Sequence, residues 1–215
     1  MNNIKHELMK KIFLGVITFF VITLTYAQNE KTELLYSNKF TLGSDLFQPI
    51  LLGGFNINAT YTTNRWIFDY SHGMGLEIRD NLQTTEQKDL NSKIELPWTT
   101  GPGFGYRFTS NFDARLDFKV HSVEVDLLSG QQTLDYLEYT IGPGIFYRFY
   151  FGENSGFGLE TSARYWFDFG NNLNNLVNDK FNFVDNDGNT RTFDPSVSSG
   201  VGFNIALIYT FNKNN

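Results

Sequence analysis

Short clusters of serine, histidine and glutamate are the residues of this sequence whose types suit nucleophilic catalysis. A serine nucleophile needs a basic side chain within hydrogen-bond reach, and a carboxylate can orient that base. Both clusters lie in segments where apolar residues alternate with other residues, which is typical of strands. Because adjacent strand residues point to opposite faces, a histidine and its neighbouring serine do not meet on a regular strand. The clusters are Ser71-His72 with Glu77, and His121-Ser122 with Glu124.

A change in the apolar pattern predicts a β-bulge beside the second cluster. Apolar residues stand at Phe118 and Val120, and then at Val123, Val125 and Leu127. A bulge between these groups would bring the histidine and the serine to one face. Bulges are also common at barrel rims without any catalytic role, so the sequence favours a protein that is not an enzyme.

The segment 185–189, Asp-Asn-Asp-Gly-Asn, resembles the beginning of a calcium-binding loop. Such a loop needs a bidentate acid at its twelfth position, and Ser196 stands there instead. The sequence therefore favours an Asp-Gly hairpin turn between strands at 181–184 and 190–193, without a metal or any other cofactor. The hairpin would make loop 171–196 a protruding β-ribbon, which is the place where we expect any specific function. The sequence leaves two interpretations open for this loop: it binds an extracellular partner, or it is a solvated loop without one.

A repeated segment indicates the elements that must position these residues. Residues 99–108, TTGPGFGYRF, return 41 positions later as residues 140–149, TIGPGIFYRF. Each copy alternates apolar residues with small or charged ones, ends in a turn, and is followed by a second alternating run. The repeating unit is therefore a β-hairpin, with Arg107 and Arg148 near its turn.

Eight alternating runs follow residue 37. One face of each run is apolar and rich in aromatic residues, whereas the other mixes glycine with charges of both signs. A soluble sandwich instead has an aliphatic core and a water-facing surface of Lys, Glu and Thr, so the pattern favours a membrane barrel. In the fourth run, this alternation places Ile94 and Leu96 outward with Trp98. The runs are 38–48, 53–62, 65–79, 93–109, 112–128, 135–151, 156–170 and 197–211.

The connections between the runs alternate in length. This alternation predicts short periplasmic turns and long extracellular loops, with both chain ends on the periplasmic side. The predicted fold class is all-β, an eight-stranded antiparallel up-and-down transmembrane β-barrel over residues 38–211. The short connections are 63–64, 110–111 and 152–155, and the long ones are 80–92, 129–134 and 171–196.

The N-terminal segment predicts export. Residues 9–27 place two lysines before an apolar run of 13 residues and end in Thr-Tyr-Ala. This order is typical of a cleaved signal peptide, and the run is shorter than the roughly 20 residues of a spanning helix. We expect 1–27 to be a signal peptide, 28–37 a short periplasmic segment and 212–215 a tail. The sequence has no cysteine, and its net charge of −6 without a basic cluster excludes nucleic-acid binding.

The charged residues of the polar faces are predicted to line the barrel lumen. Eight strands enclose room only for side chains, and buried charges must be compensated, so we expect these residues to pair across the lumen. A closed, charge-filled barrel follows, and not an open channel. The predicted members are Asp69, Glu77, Arg107, Asp113, Arg115, Asp117, Lys119, Glu138, Arg148, Glu160, Arg164 and Asp168.

The exported chain, the eight-run meander and the aromatic closing strand resemble the small eight-stranded outer-membrane barrels of Gram-negative bacteria, the OmpA-transmembrane-domain and OmpX-like group. The resemblance implies the cell outer membrane as location, contact with its lipid, and insertion by the barrel-assembly machinery. That machinery reads a terminal aromatic strand, to which Tyr209 and Phe211 correspond, although Asn212–Asn215 follow them here. The implied role is structural, or surface interaction through extracellular loops.

Two other functions stay open at this point. Outer-membrane lipid A deacylases and acyltransferases use barrels of this size, so the first alternative is a lipid A-modifying enzyme with His72 or His121 at its wall. The second is a soluble exported β-barrel that binds a small apolar ligand inside. These alternatives differ in whether the apolar face of the wall points toward lipid or toward the interior.

Overall fold

The computed structural model describes residues 38–128, 132–152, 156–174 and 176–212. The predicted signal peptide, the segment 28–37 and the tail residues 213–215 lie outside the described residues. Within those ranges, no helix has both the length and the apolar character needed to cross a membrane.

Eight antiparallel strands close into a barrel, which confirms the predicted fold. The barrel consists of β1–β7 and β11, each paired with its neighbour along the wall, and β1 closes against β11. This closure leaves no unpaired strand at the side of the sheet. The strands are β1 (Lys39–Asp45), β2 (Phe55–Thr63), β3 (Trp66–Ile78), β4 (Lys93–Arg107), β5 (Phe112–Leu127), β6 (Gln132–Tyr150), β7 (Phe157–Asn171), β8 (Leu176–Val177), β9 (Lys180–Val184), β10 (Thr190–Phe193) and β11 (Gly200–Asn212).

The two ends of the barrel differ in their connections. At one end, which we call the turn end, short segments join β2 to β3, β4 to β5 and β6 to β7. At the other, the loop end, lie the helices α1 (Phe47–Leu51) and α2 (Thr85–Asp89). The loop end also carries β8, β9 and β10, which form a separate sheet that we call the ribbon. The ribbon has three strands where the sequence predicted two.

The outer face of the wall is apolar and the inner face is mainly polar toward the turn end. In β11, Phe203 is 72% exposed, whereas Ile208, which points inward, is 1% exposed. The same alternation runs along β7, where Phe167 lies outside and Glu160 is buried. The facing predicted for these two strands therefore matches the structure.

Near the loop end, β3 and β4 change which residues face inward, and there the predicted facing is wrong. In β4, Ile94 and Leu96 are buried inside although the sequence placed them outside, because the register with β5 shifts between Glu95 and Trp98. In β3, Gly75 adopts a φ of +65°, a conformation that favours glycine. Glu77 is consequently exposed on the outer face and does not line the lumen.

Strand β5 keeps one facing along its whole length, so the bulge predicted there is absent. Its residues from Asp113 to Leu127 point inward at every odd position. The pattern changes because the lining of the interior changes: it is polar up to His121 and apolar from Val123 onward. The predicted bulge is therefore wrong: the inward residues of β5 change from polar to apolar, while the direction in which each residue points does not change.

A hydrophobic core fills part of the loop end. Phe183 of β9 and Phe193 of β10 pack against inward residues of β4, β5 and β6, which anchors the ribbon to the barrel. The hydroxyl of Tyr136 donates a hydrogen bond to the Pro195 carbonyl at 2.9 Å. The buried members of this core are Leu90, Ile94, Val123, Val125, Leu127, Leu134, Tyr136, Phe183 and Phe193.

Two inward-facing glycines test how tightly the wall is packed. A Cβ on Gly101 would overlap the backbone carbonyl of Phe118 in β5, whereas a Cβ on Gly202 would lie 3.3 Å from Nε1 of Trp166. We expect Gly101→Ala to lower the free energy of unfolding by about 1–3 kcal/mol, as overpacking does. Gly202→Ala should change it by less than about 0.5 kcal/mol. Urea unfolding in lipid vesicles measures both, and equal losses would contradict the register of β4 with β5.

Candidate functional site

Four charged side chains meet inside the turn-end half of the barrel. The Arg115 guanidinium donates to Oδ1 of Asp113 and to Oε2 of Glu160, both at 2.7 Å. Arg148 lies 2.9 Å from each of the same two carboxylates, through Nη2 and Nε respectively. All four side chains are buried, and each carboxylate contacts both arginines. The cluster is electrically neutral and joins β5, β6 and β7.

Strand register explains why these four residues meet. Asp113 and Arg115 are two positions apart on β5 and therefore share a face. Arg148 of β6 is directly opposite Glu160 of β7. Directly opposed side chains on one face lie about 4.5–5.5 Å apart at Cβ, close enough for a charged pair.

A second pair lies beside this cluster. Nε of Arg164 is 2.8 Å from Oδ2 of Asp117. The Phe146 ring lies between Arg164 and Arg115, with its centroid 4.5 Å and 3.8 Å from their Cζ atoms. Sequence reasoning missed Phe146 as an interior residue, although its parity on β6 is that of Arg148. An aromatic ring among arginines is favourable because its face attracts cations.

Further toward the loop end, Lys119 and His121 are held by polar neighbours. The Lys119 ammonium donates to the Ser71 hydroxyl and to the Gly101 carbonyl, the latter at 3.2 Å. The two ring nitrogens of His121 are each 2.8 Å from a threonine hydroxyl, those of Thr99 and Thr140. Both side chains therefore have their hydrogen-bonding groups engaged within the wall.

Neither candidate histidine faces its neighbouring serine. His121 points inward and Ser122 points outward, since β5 has no bulge between them. On β3, Ser71 points inward and His72 lies on the outer face. The geometry that a serine nucleophile requires is therefore not assembled at either cluster.

The remaining predicted lumen charges lie at different levels along the barrel. Asp69 and Asp117 flank Gly103, where any Cβ would overlap both carboxylates, so a glycine lets the two side chains share the space. Arg107 is buried near the turn end, directly opposite Asp113 of the cluster in the register of β4 with β5. Glu138 accepts a hydrogen bond from the Ser198 backbone at 3.1 Å and belongs to the loop-end side.

Asp168 also lies apart from the buried cluster. Its Oδ1 accepts a hydrogen bond from the backbone N–H of Gly170 at 2.8 Å. The register of β6 with β7 shifts beside it, between Tyr139 and Thr140. Asp168 thus caps an irregular strand end, and the network predicted from sequence does not extend to it.

A cavity of about 390 Å³ remains inside the barrel. It is lined mainly by β2, β3, β7 and β11 and also by residues of β1, β4 and β5. The prediction that side chains fill the whole interior is therefore wrong on this side. The reason is that the inward positions here carry small or medium side chains, such as Gly43, Asn58, Ser162, Gly202 and Asn204. The large buried side chains of the hydrophobic core belong mostly to β4, β5, β6, β9 and β10, and Ile78 and Val197 lie between this core and the cavity.

The ribbon ends in the turn that the sequence predicted at Asp185. Its Oδ1 accepts hydrogen bonds from the backbone N–H groups of Asp187 and Asn189, and its Oδ2 accepts one from Arg191. The hydrogen bonds from Asn189 and Arg191 hold the pKa of Asp185 below its ordinary value. Gly188 has a φ of +80°, as this turn requires. The carboxylate thus stabilises the turn between β9 and β10.

The closing strand presents the aromatic pair predicted as an assembly signal. Tyr209 and Phe211 both point outward on β11, with ring centroids 4.7 Å apart. Phe211 also lies beside Phe40 of β1, at 6.0 Å between centroids. The pair therefore lies at the seam where the cylinder closes, at the turn end.

The buried cluster should be far more sensitive to loss of a charge than an exposed ion pair. Glu160→Gln leaves Arg115 and Arg148 with one carboxylate between them, and we expect it to lower the free energy of unfolding by about 3–5 kcal/mol. Glu95→Gln is the matched control, because it breaks an exposed pair with Lys93 and should cost at most about 1 kcal/mol. Urea titrations in lipid vesicles measure both, and similar losses would contradict the burial of the cluster.

Comparison with known proteins finds similar solved structures. One of them is the crystal structure of Ail, the attachment invasion locus protein of Yersinia pestis, at 11% identity and a TM-score of 0.41, covering 82% of this chain and 99% of that chain. No protein-family model matches the sequence. No curated protein matches it either. The topology described above follows from the strand pairing of this chain itself.

Proposed function

We propose that this protein is an outer-membrane β-barrel with a lumen closed to ion flow, and that its loop end makes contacts outside the cell. The observation that carries this proposal is the outer face of the wall. The outward side chains of β11 include five exposed apolar or aromatic residues, Val201, Phe203, Leu207, Tyr209 and Phe211. Such a continuous apolar surface is rare on a monomeric protein in water, whereas acyl chains solvate it well.

The length of this surface supports the same proposal. The outward apolar residues of β11 extend from Val201 to Phe211, and a tilted strand crosses a bilayer in about 9–11 residues. At the turn end the outer surface carries a belt of rings, in which Trp66 and Tyr106 lie 5.4 Å apart and Tyr106 and Phe108 lie 5.3 Å apart. Aromatic belts are enriched where a membrane meets water.

The buried charge cluster supports a closed lumen. Asp113, Arg115, Arg148 and Glu160 neutralise one another in the turn-end half of the barrel, below the cavity, where all four side chains are buried. An ion would have to displace these pairs in order to pass. We therefore assign the cluster a structural role, as the sequence predicted.

The ribbon supports a role at the cell surface. It is anchored by Phe183 and Phe193, and a 3.0 Å ion pair joins Lys180 to Glu86 of α2. Its exposed apolar residues Val177 and Val184 are available to a partner. Insertion would depend on the barrel-assembly machinery, for which the closing aromatic strand is the expected signal.

The alternatives fit the geometry less well. A lipid A-modifying enzyme would need a free base, and both nitrogens of His121 contact threonine hydroxyls. A soluble barrel for an apolar ligand would not expose a continuous outer face of rings to water, and here Phe104, Phe167 and Phe203 are exposed on the outer face. Neither alternative explains the belt of rings at the turn end.

The lipid-facing assignment can be tested with arginine on the outer face. Leu207→Arg would place a charge in the acyl chains and should cost about 2–4 kcal/mol near the middle of the membrane. Val184→Arg is the matched control, because this residue is exposed on the ribbon and should change stability by less than about 0.5 kcal/mol. The measurement is the free energy of unfolding in phosphatidylcholine vesicles.

Equal tolerance of arginine at both positions would contradict a membrane-spanning wall. The folded protein should also migrate differently from the heat-denatured protein on a detergent gel. A chain that lacks this shift, and that stays monodisperse in buffer without detergent, would overturn the proposed function.

A further inference from the structure

The wall of the barrel has a gap beside β1, because β1 is shorter than the strand on which it closes. The pairing of β1 with β11 ends at Asp45–Ala206, whereas the pairing of β7 with β11 continues to Gly200–Trp166. After a hydrogen bond from Leu46 N–H to the Ile205 carbonyl at 2.8 Å, the chain turns into α1. The edge of β11 at 200–204 therefore has a strand partner on one side only.

This gap lies at the level of the apolar outer surface. Val201 and Phe203 are exposed on β11, and Ile50 and Leu51 are exposed on α1, the helix that follows β1. Helix α1 buries none of its residues. An unpaired backbone edge inside a membrane is tolerated only where it lines a cavity or is covered by protein.

The edge of β11 does line a cavity. The five consecutive residues 200–204 all border the 390 Å³ cavity described above. Successive residues of a strand point to opposite faces, so all five can border one space only where the strand edge itself faces it. The cavity therefore reaches the outer surface through the gap between α1 and β11.

The walls of the cavity are of two kinds. Its turn-end part is polar, with side chains such as Asn58, Asp69, Ser71 and Arg164. Its loop-end part is aliphatic. The aliphatic residues are Leu52, Leu76, Ile78, Leu82, Leu96 and Val197. A space of this volume with one polar and one apolar part suits a small amphipathic molecule.

Arg164 is the most exposed charged side chain of the cavity. Its side chain is 18% exposed, whereas the other charged lining residues, Asp45, Asp69, Lys119 and Glu160, are buried. Nε of Arg164 pairs with Asp117, and among the hydrogen bonds of the described residues none comes from its Nη atoms. A guanidinium with two unengaged nitrogens binds carboxylates and phosphates well.

We infer that this cavity is a binding site for an amphiphile with an anionic headgroup on a single hydrocarbon chain, which enters sideways through the gap. The headgroup binds the Nη atoms of Arg164, and the chain lies against Leu76 and Leu96. This inference rests on the proposed function, because the gap faces lipid only if the barrel spans a membrane.

Tryptophan fluorescence provides the test. The chain has three tryptophans, and Trp166 alone lines the cavity. In a Trp66→Phe, Trp98→Phe variant inserted into phosphatidylcholine nanodiscs, 11-bromoundecanoate should quench Trp166 saturably. Dodecanoate should displace the quencher, whereas dodecyltrimethylammonium, with the same chain and the opposite charge, should not. Butanoate tests whether a free carboxylate suffices, and we expect it not to compete.

Three substitutions in that background locate the site. Arg164→Gln should weaken binding about tenfold, the loss of one charge-assisted contact. Gly202→Met leaves the charges unchanged, narrows the gap, and should weaken binding by a similar factor. Leu207→Met is the control, because Leu207 points outward on the same strand, is paired with both neighbouring strands and does not border the cavity, so binding should be unchanged.

Three results would overturn the inference. The first is the absence of saturable quenching in a barrel that is inserted and heat-modifiable. The second is competition by butanoate that is as strong as competition by dodecanoate. The third is normal binding by both Arg164→Gln and Gly202→Met. Each leaves the proposed function standing, since insertion is measured separately. Failure of the chain to insert into any bilayer would instead overturn the proposed function.

Discussion

The facing of the wall depends on one set of buried ion pairs, in which Asp113, Arg115, Arg148 and Glu160 neutralise one another. Side chains alternate along a strand, so a slip of one residue would turn these charges outward and the aromatic rings inward. Each outcome is costly in a membrane, where an uncompensated charge is expensive. The cluster therefore stabilises the barrel and also fixes its register between β5, β6 and β7.

The interior beyond this cluster is divided unequally. Aliphatic and aromatic side chains fill the loop end on the side of β4–β6 and hold the ribbon through Phe183 and Phe193. On the side of β1, β2 and β11 the inward side chains are smaller and a cavity of about 390 Å³ remains. One short strand thus connects three features of the molecule: the gap, the cavity and the exposed apolar helix α1. A closely packed part and a part with a cavity therefore lie within the same barrel.

The fold was predictable because alternation with a period of two and the length of connections are both local properties of the sequence. The members of the buried cluster were predictable for the same reason, because inward and outward residues alternate without interruption from the turn end through all four of them. Glu77, Ile94 and Leu96 were not, because a register shift in β4 and a left-handed glycine, Gly75, change the facing locally. The cavity was also beyond prediction, because it depends on where β1 ends against β11.

The facing of the side chains of β11 tests most directly whether the outer wall of the barrel contacts lipid. The chain contains no cysteine, so single cysteines at each position from 201 to 211 can carry a spin label without a background. In phosphatidylcholine vesicles, collision with membrane-dissolved oxygen should be frequent at the odd positions, from Val201 to Phe211, and infrequent at the even ones. A uniform profile, or frequent collisions at the even positions, would contradict a wall that turns its rings to lipid and its charges inward.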